Sequence, residues 1–236
     1  MSYSLQYPLT FFNYFIIMNE IIFLLYIIFM SLTVLGALRL GKEALISLVV
    51  LNAVLANLLV SKQIMLFGLN ATASDALAVG ATLSLNLLQE FYGREIALKT
   101  VWISFSGLLF YTFISQLHLV YQPSLFDTCQ QAYYLILHNM PRIALASLIV
   151  YFIVQQLDCR LYSFLKKRYQ GRYFIIRNTV SVGSTQLLDT ILFSLLGLYG
   201  IIDNIGHIII FSYVIKLIML LTATPFLALA KKIYKQ

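Results

Sequence analysis

The stretch RNTVSVGSTQLLDTILFSLLGLYG (Arg177–Gly200) begins with a basic residue and continues as an apolar span. At about 1.5 Å of rise per helical residue, it is long enough to cross a hydrocarbon layer of about 30 Å. Asp189 lies 12 residues after Arg177, which puts it about 18 Å along such a helix. A carboxylate at that depth is costly in lipid unless it meets a partner or a wet cavity. The stretch therefore predicts a membrane helix with a functional acid near its centre.

The composition of the chain is also that of a membrane protein. Of its 236 residues, 61% are hydrophobic and 11% are charged, whereas soluble domains carry about 25% charged residues. The apolar residues form long runs, and no polar block is long enough for a second domain. We expect one membrane domain over residues 1–236, with an additional helix in 1–40 and a core in 43–232.

Seven apolar spans can be drawn, and each should be helical because lipid offers backbone groups no partner. The N-terminal span is no secretory signal, since no Lys or Arg precedes Arg39 and its apolar run is too long. The predicted fold class is an all-α polytopic bundle. The predicted spans are Phe15–Leu38, Glu43–Val60, Asp75–Tyr92, Ala97–Leu119, Met140–Leu157, Asn178–Tyr199 and His207–Ala230.

The distribution of basic residues predicts the orientation of these spans. Of 16 Lys and Arg residues, nearly all flank alternate ends of the spans, and the opposite ends carry Lys62 alone. Because basic residues flanking spans stay in the cytoplasm, we expect the N-terminus outside and the C-terminus inside. The basic flanks are Arg39, Lys42, Arg94, Lys99, Arg160, Lys166, Lys167, Arg168, Arg172, Arg177, Lys231, Lys232 and Lys235.

Several classes of protein are disfavoured. The net charge of +7 sits at span ends rather than on one basic face, so nucleic-acid binding is not expected. Cys129 and Cys159 fall on opposite sides of the predicted membrane and cannot pair within one chain. No metal-ligand spacing occurs, and catalytic motifs such as HExxH, GxSxG or a Gly-rich phosphate loop are absent. We therefore expect no enzyme activity, no metal and no cofactor.

Asp189 and Lys216 are the strongest candidate site residues, because both lie deep in their spans. On a helix, Asp189 shares one face with a small residue, an amide, a hydroxyl and an aromatic ring. These residues are Gly183, Gln186, Thr190 and Phe193. Such a face suits a flat polar heterocycle, since a carboxylate accepts two parallel N–H bonds and a ring can stack. The alternative is a purely structural ion pair between Asp189 and Lys216.

Further polar residues on the other spans are candidates. Asn86 lies near the predicted midplane, and Glu90, one turn nearer the cytoplasm, is either a gate or proton relay or a simple partner of Arg94. Arg142 either lines the outer mouth or anchors the helix at the interface. Asn57 either binds a ligand or bonds between helices. Polar residues at mid-depth on several helices are typical of transporters.

Six segments of the chain are distinctive when taken together. They are ANLLVSK (56–62), NLLQEFYGREIA (86–97), PRIALASLIVYFIVQQLDCRLYSFLKKR (141–168), QLLDT (186–190), SYVIKL (212–217) and ATPF (223–226). Together they resemble the queuosine precursor transporter family, also called the vitamin uptake transporter family, over about Glu43 to Lys232.

The resemblance implies import of a 7-deazaguanine base across the inner membrane for making queuosine in tRNA. It also implies a six-helix core like the substrate-binding subunits of energy-coupling-factor transporters, to which the span Phe15–Leu38 is an addition. The family's acid and lysine fall on Asp189 and Lys216, its arginine on Arg142 and its helix-two asparagine on Asn57. Its Glu-x-Tyr-Gly signature falls on Glu90, Tyr92 and Gly93. Many members have Asp where this chain has Asn86.

Two functions are predicted. The first is a secondary transporter of a queuosine precursor, with substrate-binding residues Asp189, Lys216, Glu90, Asn86, Arg142, Asn57 and Gln186. The second is a binding subunit that needs a separate ATP-driven module, for which the small-residue ridge of Ala76, Gly80 and Ser84 would be a docking surface. The expected partners are the base, the lipid bilayer, and a second copy or a coupling module.

Overall fold

The computed structural model describes residues 9–60, 62–138, 140–199 and 205–234. Within them the chain forms eight α-helices and one β-hairpin. The helices are α1 Leu9–Leu40, α2 Lys42–Leu59, α3 Asp75–Tyr92, α4 Arg94–Val120, α5 Gln130–Leu137, α6 Met140–Arg168, α7 Phe174–Phe193 and α8 Ile205–Tyr234. The strands are β1 Gln63–Leu66 and β2 Leu69–Thr72. A π-helical turn, Ser194–Leu198, continues α7.

All seven predicted spans are helices, and the all-α membrane bundle is confirmed. Six described helices (α1, α2, α4, α6, α7 and α8) are long and apolar enough to cross a membrane. The remaining predicted span, α3, has the predicted bounds but is not apolar enough to meet the same test. Of its 18 residues, 14 are buried. It packs against α1, α2, α4, α6, α7 and α8. A helix enclosed by others faces protein rather than lipid, so it can carry Asn, Gln and Glu without meeting hydrocarbon.

The seven long helices, all except the short α5, alternate in direction along the chain, which gives the bundle two distinct ends. At the end that we call the basic end, Tyr234 of α8 stacks on Phe91 of α3 at 4.3 Å between ring centroids, and Lys166 of α6 donates to the Glu90 carbonyl at 2.9 Å. At the opposite end, the hairpin end, α3 begins beside α8. This alternation agrees with the predicted clustering of Lys and Arg at one end.

The hairpin between α2 and α3 was not predicted. Its two-residue turn has positive φ at both positions, 51° at Phe67 and 74° at Gly68, as in the type I′ turns that join antiparallel strands. Helix α1 fixes it, because Asn19 Nδ2 donates to the Met65 carbonyl at 3.2 Å and the Phe67 ring meets Phe23 edge-on at 6.1 Å. The hairpin therefore covers the end of the bundle between α1 and α8.

Helix α6 continues to Arg168, 11 residues beyond the predicted end of the span at Leu157. Lys166, Lys167 and Arg168 form its last turn, as expected of a helix end that lies outside the membrane on the basic side. Asp158, one residue beyond the predicted end of the span, is fully buried in the bundle. The free thiols of Cys129, exposed in a loop, and Cys159, buried in α6, agree with the prediction that the two cannot pair.

The ridge of Ala76, Gly80 and Ser84 is covered within the chain. A Cβ at Gly80 would lie 2.5 Å from Met30 Cε of α1 and 3.3 Å from Asn52 Nδ2 of α2, and Ala76 and Ser84 are buried. The prediction that this ridge docks a separate module is wrong, because α1, absent from the six-helix pattern, occupies it.

Replacing Gly80 by valine is expected to destabilise the bundle by about 1–3 kcal/mol, because side-chain atoms inserted into a packed contact force neighbours aside. Thermal unfolding in detergent measures the effect. Gly36→Val is the matched control, since nothing lies within 4 Å of a Cβ built at Gly36 of α1. Equal unfolding temperatures for the two variants would contradict the packing argument.

Candidate functional site

A pocket opens among α2, α3, α6, α7 and α8, close to the end of β2. It holds about 830 Å³ of empty space, counting the part open at its mouth. Of the predicted site residues, the structure brings four to its wall, which are Asn57, Gln186, Asp189 and Lys216. The mixed polar and apolar lining is that expected of a small-molecule site.

Lys216 of α8 is the centre of the charged wall. Its Nζ donates to Asp189 Oδ2 at 2.8 Å and to Thr190 Oγ1 at 3.1 Å, both on α7. A second carboxylate, Asp75 Oδ1 of α3, lies 3.8 Å from the same nitrogen. One cation thus lies between two carboxylates, so the ionised cluster carries one excess negative charge.

The pair of Asp189 and Lys216 is not sealed from the pocket. The Asp189 side chain is 22% exposed, against 6% for Lys216. Among the described residues, Asp189 Oδ1 has no hydrogen-bond partner, because the bond from Lys216 goes to Oδ2. Asp189 lines the pocket, so this oxygen can accept an N–H from a ligand.

Asp75 was missed as a site residue. As the first residue of α3 it has the position of an acid that stabilises a helix N-terminus. Its position in the sequence gives no separate sign that it also contacts residues of α8. Its carboxylate accepts from Ser212 Oγ at 3.2 and 3.0 Å. Ser212 precedes Lys216 by one helical turn on α8, so this spacing on one polar face is the signal that would have pointed to a third partner.

Amide side chains form the deep part of the pocket. Gln186 of α7 and Gln155 of α6 both donate through Nε2 to Thr82 Oγ1 of α3, at 3.0 and 3.4 Å. Their Oε1 atoms are buried without a partner. Buried acceptors normally find donors, so these two oxygens are available to the N–H groups of a bound molecule.

The remaining wall combines an amide with aromatic rings. Asn57 Nδ2 of α2 donates to Ser147 Oγ of α6 at 2.9 Å, while its Oδ1 is buried and unpartnered. Asn57 therefore bonds between helices, one of the two alternatives expected from the sequence, and ligand binding by its free oxygen stays a prediction. Tyr151 and Phe193 also line the pocket, which gives a flat ring surfaces to pack against.

Glu90 lies outside this pocket, in an ion cluster at the basic end. Its two carboxylate oxygens accept from both terminal nitrogens of Arg177 at 3.2 and 3.1 Å. Lys166 Nζ lies 3.2 Å away, and Tyr162 donates its hydroxyl at 2.9 Å. Arg177, predicted as a flanking residue, is fully buried. The geometry is that of a structural junction between α3, α6 and α7.

Two other predicted site residues also lie away from the pocket wall. Arg142 is exposed and donates to the Tyr199 carbonyl at 2.8 Å, joining the start of α6 to the end of α7. Asn86 is fully buried, and neither of its amide atoms has a hydrogen-bond partner. Among the described residues, no three His, Cys, Asp or Glu side chains converge as a metal site would require.

The fold and the site define a class: a polytopic membrane protein with a partly open pocket that several helices line with polar and apolar side chains. Comparisons with known proteins give its family. The family model described as "Putative vitamin uptake transporter" matches residues 72–230. A Bacillus subtilis (strain 168) protein named "Probable queuosine precursor transporter" is 36% identical over 195 residues, which cover 81% of this chain and 85% of that protein.

This chain belongs to the vitamin uptake transporter family and is a membrane transporter. The matched residues include α3, α6, α7 and most of α8, which supply most of the pocket wall. No solved structure matches the chain. The expected likeness to energy-coupling-factor subunits therefore stays a prediction.

Proposed function

We propose that this protein imports a queuosine precursor, a 7-deazaguanine base, across the inner membrane as a secondary transporter. The observation that carries the proposal is the exposed carboxylate of Asp189, held by Lys216 at the wall of a polar pocket. The name of the Bacillus subtilis relative supports the substrate class. In the proposed orientation the N-terminus is outside and the basic end faces the cytoplasm.

The chemistry of the pocket suits a guanine-like edge. A 7-deazaguanine offers a ring N–H beside an exocyclic amine, and Asp189 Oδ1 accepts from such groups while Oδ2 stays on Lys216. The unpartnered oxygens of Gln155, Gln186 and Asn57 supply further acceptors. Glu90, the other carboxylate considered for this role, is saturated by Arg177, Lys166 and Tyr162.

The charge balance of the pocket favours particular bases. Asp75 and Asp189 share Lys216, so the site carries one more carboxylate than cations. A base that carries an ammonium group, such as the 7-aminomethyl form, neutralises this excess, whereas a 7-cyano or unsubstituted base does not. We propose that aminomethyl bases bind more tightly than guanine.

Cells that cannot make queuosine precursors test the proposal. Expression of this protein is expected to restore uptake of labelled 7-aminomethyl-7-deazaguanine, and unlabelled aminomethyl base is expected to compete at least 10-fold better than guanine. Cells that carry the empty vector are the control. Absence of uptake for the cyano and aminomethyl forms and for queuine would refute the proposed substrate class.

The alternative is a binding subunit that depends on a separate ATP-driven module. The buried ridge of Ala76, Gly80 and Ser84 removes the surface that was predicted for docking. Uptake measured in a host that lacks every such coupling module distinguishes the two functions. Full uptake there supports a secondary transporter, and loss of uptake restored by a coupling module supports the binding subunit.

A further inference from the structure

A buried carboxyl group, Asp158 of α6, lies outside the pocket and has no counter-ion. Its side chain is 0% exposed. Oδ1 accepts from Ser181 Oγ at 2.6 Å and from Thr185 Oγ1 at 3.1 Å, both on α7, while Oδ2 is buried and unpartnered. Within the described part of the chain, no Lys or Arg nitrogen lies within 4.0 Å of it. Among the described residues, the other carboxylates inside the bundle, those of Asp75, Glu90 and Asp189, each lie within 4.0 Å of a Lys or Arg nitrogen.

Polar groups around Asp158 link the pocket to the basic end. Asn86 of α3 faces the carboxyl group without completing a hydrogen bond by distance and angle. Asn178, about one turn before Ser181 on α7, is fully buried and equally unpartnered. Buried polar atoms are normally bonded. An unpartnered carboxyl oxygen and an unpartnered amide that faces the carboxyl group therefore indicate a site that something else completes.

Further polar residues lie on both sides of Asp158 along the bundle. Toward the hairpin end lies Gln155, which lines the pocket and donates to Thr82 of α3. Toward the basic end, Gln89 Nε2 donates to the Cys159 carbonyl at 2.9 Å and to Ser163 Oγ at 2.8 Å. The Glu90 cluster follows. Asp158 thus lies between the substrate pocket and the predicted cytoplasmic end.

The ligand that fits Asp158 is a proton. An ionised carboxylate without a cation is strongly disfavoured in a low-dielectric interior, whereas the neutral carboxyl needs one acceptor for its O–H, and Asn86 faces it. The oxygen cage that a metal cation needs is not formed by the three side chains that contact or face the carboxyl group. The ionisable groups nearby are Cys159 and Tyr162 of α6, Glu90 of α3, Arg177 of α7, and Arg94 of α4. Of these, Glu90 and Arg177 are paired with each other.

We propose that Asp158 binds the proton that drives uptake, an inference that rests on the proposed function. In each cycle the carboxylate takes one proton from the side on which the base enters, forming the O–H bond at Asp158. The same bond breaks when the site opens to the other side, and the proton leaves with the base. One proton crosses with each base, in addition to any charge that the base itself carries, and nothing is oxidised or reduced.

The test uses the purified full chain in liposomes with labelled 7-aminomethyl-7-deazaguanine and an imposed pH gradient, acidic on the side of entry. Wild-type protein is expected to accumulate the base, and a trapped pH dye is expected to report proton entry with it. Asp158→Asn is expected to lose accumulation at least 10-fold, while exchange of labelled for unlabelled base and the affinity for the base stay within about threefold. Asp127→Asn, in an exposed loop, is the matched control.

A second variant keeps the test decisive if Asp158→Asn does not fold. Ser181→Ala removes the 2.6 Å donor to Asp158 and therefore favours the protonated form. The pH of half-maximal accumulation is expected to rise by about one unit, a change that a merely structural role would not produce. Accumulation by Asp158→Asn at the wild-type level, an unmoved pH profile in Ser181→Ala, or wild-type uptake driven by sodium without a pH gradient would each overturn the inference. A wild-type protein that binds no base would overturn the proposed function, and this inference with it.

Discussion

Replacing Asp189 by asparagine is expected to weaken binding of the base about 10- to 100-fold and to abolish uptake at low substrate concentration. The loss of a hydrogen-bond acceptor that carries charge costs about 1.5–3 kcal/mol, and an amide cannot accept two parallel N–H groups. The variant is expected to fold, because Lys216 keeps Asp75 at 3.8 Å and Thr190 at 3.1 Å as partners. Uptake and binding measured on equal amounts of folded protein test this.

Lys216→Met tests what the ion pair of Asp189 and Lys216 contributes to stability as well as to transport. It leaves Asp75 and Asp189 as buried like charges, so we expect a loss of about 3–5 kcal/mol in stability as well as a loss of uptake. Lys62→Met, on an exposed residue before the hairpin, is the matched control and should change neither. If Asp189→Asn transports and binds like wild type, the pair is purely structural and our site assignment fails.

Replacing Glu90 by glutamine is expected to lower the free energy of unfolding by about 3–5 kcal/mol, because it leaves the buried Arg177 guanidinium without its carboxylate. The bidentate geometry, with both distances between 3.1 and 3.2 Å, makes this pair the strongest junction at the basic end. Denaturation in detergent measures the change. The exposed pair of Lys42 and Glu43 supplies the control, and Glu43→Gln should leave the unfolding transition unchanged.

The same variant decides between the two roles that the sequence allowed for Glu90. A structural role predicts that the folded fraction of Glu90→Gln transports the base at a rate near that of wild type. A gate or proton relay would instead give a stable protein that does not transport. The saturated surroundings of the carboxylate lead us to expect the first result.

Residues that lie near each other along one helix could be assigned to the site from the sequence. Asp189 and Gln186 are predicted to share a face because the helical repeat fixes their directions, and the structure has both at the pocket wall. Lys216 was paired with Asp189 by depth alone, which was sufficient because two ionisable groups in adjacent spans at one level have few other partners.

Residues whose role depends on a third helix could not be assigned. Asp75 looks like an N-terminal helix acid until α8 brings Ser212 and Lys216 to it. Asp158 directly follows the predicted end of its span at Leu157. Its burial results from the continuation of α6 to Arg168 and from the packing of α7 against it. Arg177 was predicted as a cytoplasmic flanking residue because it directly precedes an apolar span, and only the packing of the helices shows that it is buried.

The sequence by itself determined the membrane class, the seven long helices and the placement of basic residues at alternate span ends, because lipid imposes length, apolarity and charge placement on each span separately. Tertiary structure alone decided which polar residues face a cavity, which are paired, and which stay without a partner. Those properties depend on distances between helices far apart in the chain, and no periodicity within one span encodes them.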